Sequence, residues 1–282
     1  MKPGKLFLVL ACLLLAGVGA ADSNVAPSAP YAWAENAGWA NAYADATHGV
    51  EVTPAILSGY IWCENVGWIC LGDGTPETPP HYSNASATDC GVNHDGAGHL
   101  SGYAWGENIG WVVFDTSGAG GSQVTISPSG EFAGYAWSEN IGWINMASGY
   151  GVELADSDGD DLPDAFETDT GVFVDEYDTG TASYDADTDD DDLNDGDEVN
   201  TYLTDPNDDD TDDDEITDGD EINGTFGYVT NPLEEDTDGD TYDDWVEIVA
   251  GTDPTDPNDY PGLVHTPALH VPGFEVPRES RR

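Results

Sequence analysis

Carboxylate side chains recur at a fixed spacing in the C-terminal half of this 282-residue chain. Four twelve-residue windows, which begin at residues 156, 187, 210 and 236, each have Asp at positions 1, 3, 5 and 9 and Glu at position 12. This spacing is that of EF-hand-type loops, whose side chains converge on one Ca²⁺ while the backbone carbonyl at position 7 adds a ligand. Hard oxygen ligands in this number suit Ca²⁺ rather than zinc or copper. The predicted ligands, with position 7 acting through its backbone, are Asp156, Asp158, Asp160, Leu162, Asp164, Glu167, Asp187, Asp189, Asp191, Leu193, Asp195, Glu198, Asp210, Asp212, Asp214, Ile216, Asp218, Glu221, Asp236, Asp238, Asp240, Tyr242, Asp244 and Glu247.

The competing interpretation of such an acidic segment is a solvated, disordered tail. One D-x-D-x-D could arise by chance in Asp-rich sequence, but four windows also share Glu at position 12 and an apolar or aromatic residue at position 7. Unit charges about 4 Å apart repel by roughly 4 kcal/mol at an effective dielectric constant of ~20. Because each window gathers five carboxylates, we expect residues 156–259 to be loose without Ca²⁺ and ordered with it.

The windows "DSDGDDLPDAFE" and "DTDGDTYDDWVE", the second followed by "GTDP", resemble thrombospondin type 3 repeats of exported bacterial proteins. The resemblance covers residues 156–260 and implies a chain that wraps around a line of calcium ions with little regular secondary structure. The family usually has Gly at loop positions 4 and 6, where the backbone turns through positive φ. Position 6 is never Gly here, and Asp tolerates the left-handed region better than Glu does, so the loop at residue 210, with Asp213 and Glu215 at positions 4 and 6, is expected to be the most strained. The resemblance also implies further ligands from Asp205, Asn207, Asn231, Asp253 and Asp256.

A second repeat, Y-x-W-x-E-N-x-G-W, occurs four times in the N-terminal half, at residues 31–39, 60–68, 103–111 and 135–143. Short alternating apolar and aromatic runs bounded by Gly, Asn and Pro predict strands joined by tight turns. The sequence therefore predicts a mainly β domain built from three-stranded meanders. The motif resembles tryptophan-rich repeats of uncharacterised secreted bacterial proteins, and that resemblance implies no activity.

Three roles are open for this aromatic motif. The favoured interpretation is that the rings fill a core between stacked meanders, because Trp and Tyr bury large apolar areas. The alternative is an exposed platform for sugars, in which Glu139 and Asn140 bond hydroxyl groups. A calcium site at the Glu-Asn pair is the weakest hypothesis, because the pair offers one carboxylate where an acidic window offers five.

Basic residues are confined to the two ends of the chain. Lys2 and Lys5 precede a short apolar run, the only arginines are at residues 278, 281 and 282, and the formal net charge is −52. Residues 1–20 have the pattern of a secretory signal peptide, so a secreted or cell-surface location is expected. Nucleic acid and anionic membranes are poor partners, since both require clustered Lys and Arg. No later apolar segment has the length of a transmembrane helix.

Other functional classes find little support in the sequence. The histidines are scattered, and no nucleophile motif or phosphate-binding loop occurs, so an enzyme is not expected. Salt adaptation would spread the acidic residues evenly, whereas they concentrate after residue 153. Export permits a disulfide, and a bridge between Cys70 and Cys90 is favoured over pairings that involve Cys63.

The sequence thus predicts a signal peptide at 1–20, an aromatic β-repeat domain at 21–154, calcium-binding repeats at 155–260 and a Pro-rich tail at 261–282. The expected function is that of an exported calcium-binding structural or adhesion-type protein, in which Ca²⁺ stiffens an acidic spacer that holds the β domain. The alternative is a carbohydrate-binding surface protein that uses the repeat Trp residues. Expected partners are calcium ions and a cell-surface glycan or another surface protein.

Overall fold

A computed structural model describes residues 23–44, 48–77, 79–86, 88–147 and 151–262. The predicted signal peptide and nearly all of the predicted tail lie outside the described residues. The chain forms two compact units, one ending at residue 209 and the other beginning at residue 210. The first unit holds the aromatic repeats and the first two acidic windows, and the second unit holds the last two windows.

Strands dominate the first unit, which confirms the prediction of a mainly β fold. The described strands are β1 (Val25–Ala34), β2 (Gly38–Asn41), β3 (Val50–Val52), β4 (Ile56–Cys63), β5 (Gly67–Gly72), β6 (Val92–His94), β7 (Leu100–Gly106), β8 (Gly110–Val113), β9 (Thr125–Ile126), β10 (Phe132–Ala133), β11 (Tyr135–Ser138), β12 (Gly142–Asn145) and β13 (Val152–Leu154).

Helical segments are short. The described helices are a 3₁₀ turn (Ser117–Ala119), α1 (Asp195–Asp197), which continues as a π-helical turn (Glu198–Tyr202), α2 (Asp218–Asn223) and α3 (Asp244–Ala250). The longest of these has seven residues. A membrane span takes about 20 residues, so no helix in the described part of the chain could cross a bilayer.

Each aromatic motif forms one antiparallel hairpin, and the four hairpins close into an eight-stranded barrel. The strand order is β12-β11-β8-β7-β5-β4-β2-β1, and a β12–β1 pairing completes the circle through Trp33 opposite Asn145 and Ala34 opposite Ile144. Each hairpin turn ends at the motif Gly, whose φ lies between 76° and 87°. A left-handed Gly after a tight turn is a common hairpin geometry, which explains why the motif has Gly there.

Two copies of the motif extend into the predicted meanders. Strand β3 precedes and pairs with β4, and β6 precedes and pairs with β7. In the fourth copy, β9 and β10 instead form a separate two-stranded sheet. The predicted three-stranded meanders therefore form in the second and third copies. The sequence did not indicate that all four hairpins would join in one closed sheet.

The motif rings lie on the outside of the barrel, so the prediction that they fill a core is wrong. Successive side chains on a strand point to opposite faces, and the residues that alternate with the rings face inward, including Ala32, Ala104 and Ala136. An eight-stranded barrel is just wide enough inside to be filled by side chains, so the small inward residues suit it and Trp would overfill it. Rings exposed by 36–45% are those of Tyr31, Trp33, Trp39, Trp62, Trp68, Tyr103, Trp111, Tyr135 and Trp137.

The Asn of each motif joins neighbouring hairpins at the turn end of the barrel. Its Nδ2 donates a hydrogen bond to the carbonyl oxygen of the residue that precedes the motif Gly in the adjacent hairpin. These bonds run from hairpin to hairpin and close on themselves, so we call them the asparagine ring. They join Asn36 to Ile141 (3.1 Å), Asn65 to Ala37 (2.8 Å), Asn108 to Val66 (2.9 Å) and Asn140 to Ile109 (2.8 Å).

The start of the acidic segment packs on the barrel within the first unit. Phe166 and Tyr177 are buried in the same apolar cluster as the barrel residues. The His94 ring contacts both, with centroid distances of 6.1 Å to Phe166 and 5.1 Å to Tyr177. The Tyr177 hydroxyl also donates a 3.2 Å hydrogen bond to the Ile126 carbonyl. Residues on both sides of the predicted boundary at 154/155 therefore share one core.

Among the described residues, no bridge joins Cys70 to Cys90, so that prediction is wrong. Their thiols instead approach backbone carbonyls. The Sγ atom of Cys70 lies 3.8 Å from the Gly72 oxygen, and that of Cys90 lies 3.9 Å from the Tyr103 oxygen.

Candidate metal sites

The four acidic windows fold as loops with the same backbone turns. Positions 4 and 6 of every loop have φ between 64° and 87°, the region that favours Gly. Asp tolerates the conformation, but Glu215 (79°) and Thr241 (87°) are strained, the β-branched Thr most of all. The residues at these positions are Gly159, Asp161, Asp190, Asp192, Asp213, Glu215, Gly239 and Thr241.

Replacing Thr241 by Gly should strengthen the last loop. Removing the strain of a β-branched residue in the left-handed conformation stabilises the folded state by about 1–2 kcal/mol. The added backbone freedom of Gly in the unfolded chain offsets this by about 0.5–1 kcal/mol. We expect a net gain of about 0.5–1 kcal/mol in the unfolding free energy of the second unit with calcium present. Urea unfolding would measure it. The control is Thr225→Gly at an exposed turn residue, which should lose stability, and equal effects of the two changes would contradict strain at Thr241.

Backbone amides fix the carboxylates at positions 1 and 5. In the last loop, Asp236 accepts hydrogen bonds from the N–H groups of Gly239 (2.8 Å) and Thr241 (2.7 Å). Asp240 accepts one from the Tyr242 N–H at 3.0 Å. The other three loops repeat both types of contact. These bonds orient the two carboxylates within each loop.

The carboxylate of the Asp at position 9 accepts two hydrogen bonds from the residue at position 2. In the last loop, Asp244 accepts hydrogen bonds from the Thr237 N–H (3.0 Å) and the Thr237 hydroxyl (2.6 Å). The same pair forms in the other three loops. Position 9 therefore joins the two ends of the loop. In EF-hands the residue at this position often binds the ion through a water molecule. Sequence reasoning missed the partner residues, although Ser or Thr stands at position 2 of every window: Ser157, Thr188, Thr211 and Thr237.

Carboxylate oxygens at positions 3 and 12 are buried in every loop without a hydrogen-bond partner among the described residues. The Glu at position 12 is the more deeply buried of the two, with exposed fractions of 0–6%. Burying an ionised group that has neither a hydrogen bond nor a counter-charge is strongly unfavourable. The residues with such oxygens at these positions are Asp158, Glu167, Asp189, Glu198, Asp212, Glu221, Asp238 and Glu247.

The carboxylates at positions 1, 3 and 5 converge in the first three loops, where one oxygen from each lies within 4.8 Å of the others. A further triad of Asp160, Glu167 and Asp195 joins the first two loops, and all three side chains are buried. Every Lys and Arg of the chain falls outside the described residues. Negatively charged oxygen ligands in this number fit a hard divalent cation such as Ca²⁺.

Burial raises the pKa of these carboxyl groups far above the usual range. It raises the pKa of Glu198 to about 9 and the pKa values of Glu167 and Glu221 to about 8. Burial is the largest cause because it removes water from the charged form, and neighbouring carboxylates add repulsion. Burial in the same way raises the pKa to about 7 for Asp160, Asp189, Asp212 and Glu247.

The metal-free protein should become less stable as the pH rises from about 4 to about 9. In the unfolded chain these groups titrate near pH 4, whereas folding raises the pKa of Glu198 to about 9. The folded state then binds more protons, so its stability is full below the unfolded pKa and is lost as the pH rises through the folded pKa. Hydrogen exchange of residues 156–259, in chelator at several pH values, would measure this loss of stability. Protection that grows with pH would contradict it. Saturating calcium should abolish the loss, because it favours the charged form.

The remaining predicted ligands divide into two groups. At position 7 the side chains of Leu162, Leu193 and Ile216 are buried and Tyr242 is 36% exposed, and their role through the backbone carbonyl stays a prediction. Among the additional ligands that the family resemblance implies, Asn207 buries its Oδ1 without a hydrogen-bond partner in the described chain, while its Nδ2 donates to the Thr179 carbonyl. The Asp253 and Asp256 carboxylates accept local hydrogen bonds from residues 255 and 258.

No protein-family model, no curated protein and no solved structure matches this chain.

Proposed function

We propose that this chain is an exported, non-enzymatic calcium-binding protein of structural or adhesion type, in which Ca²⁺ orders the acidic repeats. The observation that supports it most is the buried, unpartnered carboxylate oxygen at positions 3 and 12 of all four loops. A buried carboxylate is stable when it is paired with a cation, and the described chain has no Lys or Arg to provide one.

Different positions of each loop have different proposed roles in binding the ion. Positions 1 and 5 are oriented by backbone amides, position 9 closes the loop on position 2, and positions 3 and 12 offer oxygens that no protein group uses. Calcium would neutralise the clustered charge. It accepts six to eight oxygens in flexible geometry, whereas Mg²⁺ demands a near-ideal octahedron. Extracellular calcium modules bind at about 10⁻⁴–10⁻³ M, and we propose that range here.

Ordered acidic repeats would form a stiff segment continuous with the barrel core in the first unit. Phe166 of the first acidic loop is buried in the barrel core, so calcium binding there would fix the loop against the aromatic domain. The role proposed for the repeats is to present the barrel surface to a cell-surface glycan or to another surface protein.

Replacing Glu221 by Gln should lower calcium affinity at the third loop by at least about tenfold, because affinity follows the number of charged ligands. Glu221 is 1% exposed, and neither of its carboxylate oxygens has a hydrogen-bond partner in the described chain. Calorimetric titration of the full chain with Ca²⁺ would measure the affinity and the number of ions. The matched control is Glu234→Gln, an exposed residue of the same unit, which should bind as the parent does. No heat of calcium binding by the parent chain would disprove the proposed function.

A further inference from the structure

The outer surface of the barrel has an aromatic cleft where the first and fourth hairpins meet. In the strand register, Asn145 of β12 lies opposite Trp33 of β1 on one side and opposite Tyr135 of β11 on the other. Trp143 lies two residues from Asn145 on the same strand, and so it faces the same side of the sheet. The seam that closes the barrel is therefore flanked by three rings around one amide.

These rings line a cleft of about 530 Å³, together with Glu35 and residues 120–122. The Tyr135 and Trp143 rings meet at 81° with centroids 6.2 Å apart, so they form two walls near a right angle. Residues 120–122 close another side, and a Cβ atom at Gly121 would lie 2.8 Å from the Trp143 ring. The volume is within the usual range for small-molecule sites, about 300–1,000 Å³.

Two electrostatic features of the cleft favour a cation. Glu35 is its only charged side chain, and every Lys and Arg of the sequence falls outside the described residues. The faces of aromatic rings are the negative part of their quadrupole, so Trp and Tyr attract cations that approach their faces. Both the carboxylate and the rings therefore attract positive charge, and the strongly acidic chain repels anions.

We propose that this cleft binds an organic cation with a methylated ammonium group, held against Trp33, Tyr135 and Trp143 with Glu35 as the counter-charge. A methylated ammonium presents apolar methyl groups to the rings and spreads its charge over them, which suits aromatic walls. Inorganic cations prefer the oxygen ligands of the acidic loops. This site is independent of the calcium proposal, because none of its residues belongs to an acidic loop.

Titration of the full chain with choline, at saturating calcium, tests the proposal by calorimetry. The neutral isostere 3,3-dimethylbutan-1-ol should bind at least about tenfold more weakly, because it keeps the shape and loses the charge. Phosphocholine should also bind more weakly, since its phosphate is repelled by the acidic surface. Added salt should weaken choline binding, because Glu35 is an exposed charge and salt screens its attraction for the cation.

Glu35→Gln should weaken choline binding by roughly threefold or more. The control, Glu139→Gln, changes the same motif position at a seam where Val113 stands in place of Asn145, and it should leave binding unchanged. Equal binding of the neutral alcohol would overturn the proposal, as would equal losses in the two Glu variants. Binding of methyl glucoside in place of choline would assign the cleft to a neutral sugar and would overturn it as well.

Discussion

Chelating calcium should remove the order of the acidic repeats while the barrel stays folded. At a calcium concentration one hundred times the dissociation constant, each occupied site stabilises the folded state by about 2.7 kcal/mol. Four such sites add roughly 11 kcal/mol, which is comparable to the whole stability of an ordinary domain, about 5–15 kcal/mol. Without ions, the oxygens at positions 3 and 12 are buried with nothing to compensate them.

The loss of order should begin in the second unit. Residues of the first acidic loop share the barrel core through Ala165 and Phe166, whereas the described core cluster includes no residue beyond Tyr177. Among the described residues of the second unit, the buried apolar side chains are those of Ile216, Pro232 and Pro254. Apolar burial is the main term that could replace the ions, so residues 210–262 depend on calcium more than residues 156–209 do.

Hydrogen exchange of the full chain with and without chelator would resolve the two units. We expect protection to vanish first in α2 and α3, then in α1, with the barrel strands unchanged. Restoring calcium should restore protection, and the same concentration of magnesium should do so less well. Protection of residues 210–262 that is insensitive to chelator would contradict both the expected order of loss and the calcium dependence.

Replacing Gly134 by Ala should destabilise the barrel by about 3 kcal/mol or more. Gly134 has φ of 83°, and an added Cβ would overlap the carbonyl oxygen of Gln123. The left-handed conformation alone costs a non-Gly residue of order 1 kcal/mol. The overlap adds to this cost, because the Gln123 backbone must move away from the start of β11. Gly59 and Gly102 precede the motif Tyr of the second and third copies and are constrained in the same way.

Urea unfolding in calcium, followed by tryptophan fluorescence, would measure the Gly134→Ala effect. The matched control is Gly118→Ala, where an added Cβ meets no atom within 4 Å and φ is not positive. The control should unfold at or slightly above the midpoint of the parent protein, since Ala restricts the unfolded chain. Equal midpoints for the two variants would show that the close approach at Gly134 is tolerated.

The acidic loops were the most predictable part of this chain, because their chemistry is local. Spacing within twelve residues led directly to the carboxylates that the structure brings together, such as Asp156, Asp158 and Asp160. Burial could not be predicted in the same way. The unpartnered oxygens of Glu198 and Glu221 depend on how each loop packs, which no spacing within one window specifies.

The direction of the aromatic rings was predicted wrongly for a physical reason. Alternation indicates that Tyr31 and Trp33 share one face, but it does not indicate which face is buried. The decisive clue lay in the intervening residues, since Ala32, Ala104 and Ala136 are small enough for a narrow barrel interior. Closure of the barrel was not predictable either, because it joins two strands that are distant in the chain.

That closure constrains how the protein is made. Strand β1 pairs with β12, which is more than a hundred residues later in the chain, and the asparagine ring is complete only when Asn36 reaches Ile141. During synthesis the outer edge of β1 stays unpaired until the fourth hairpin has been made. Pairing of β1 with β12 joins distant parts of the chain and is therefore expected to be slow. Because the hairpins are near copies, one from a second chain can fill the same gap. We therefore expect domain-swapped oligomers when this architecture misfolds.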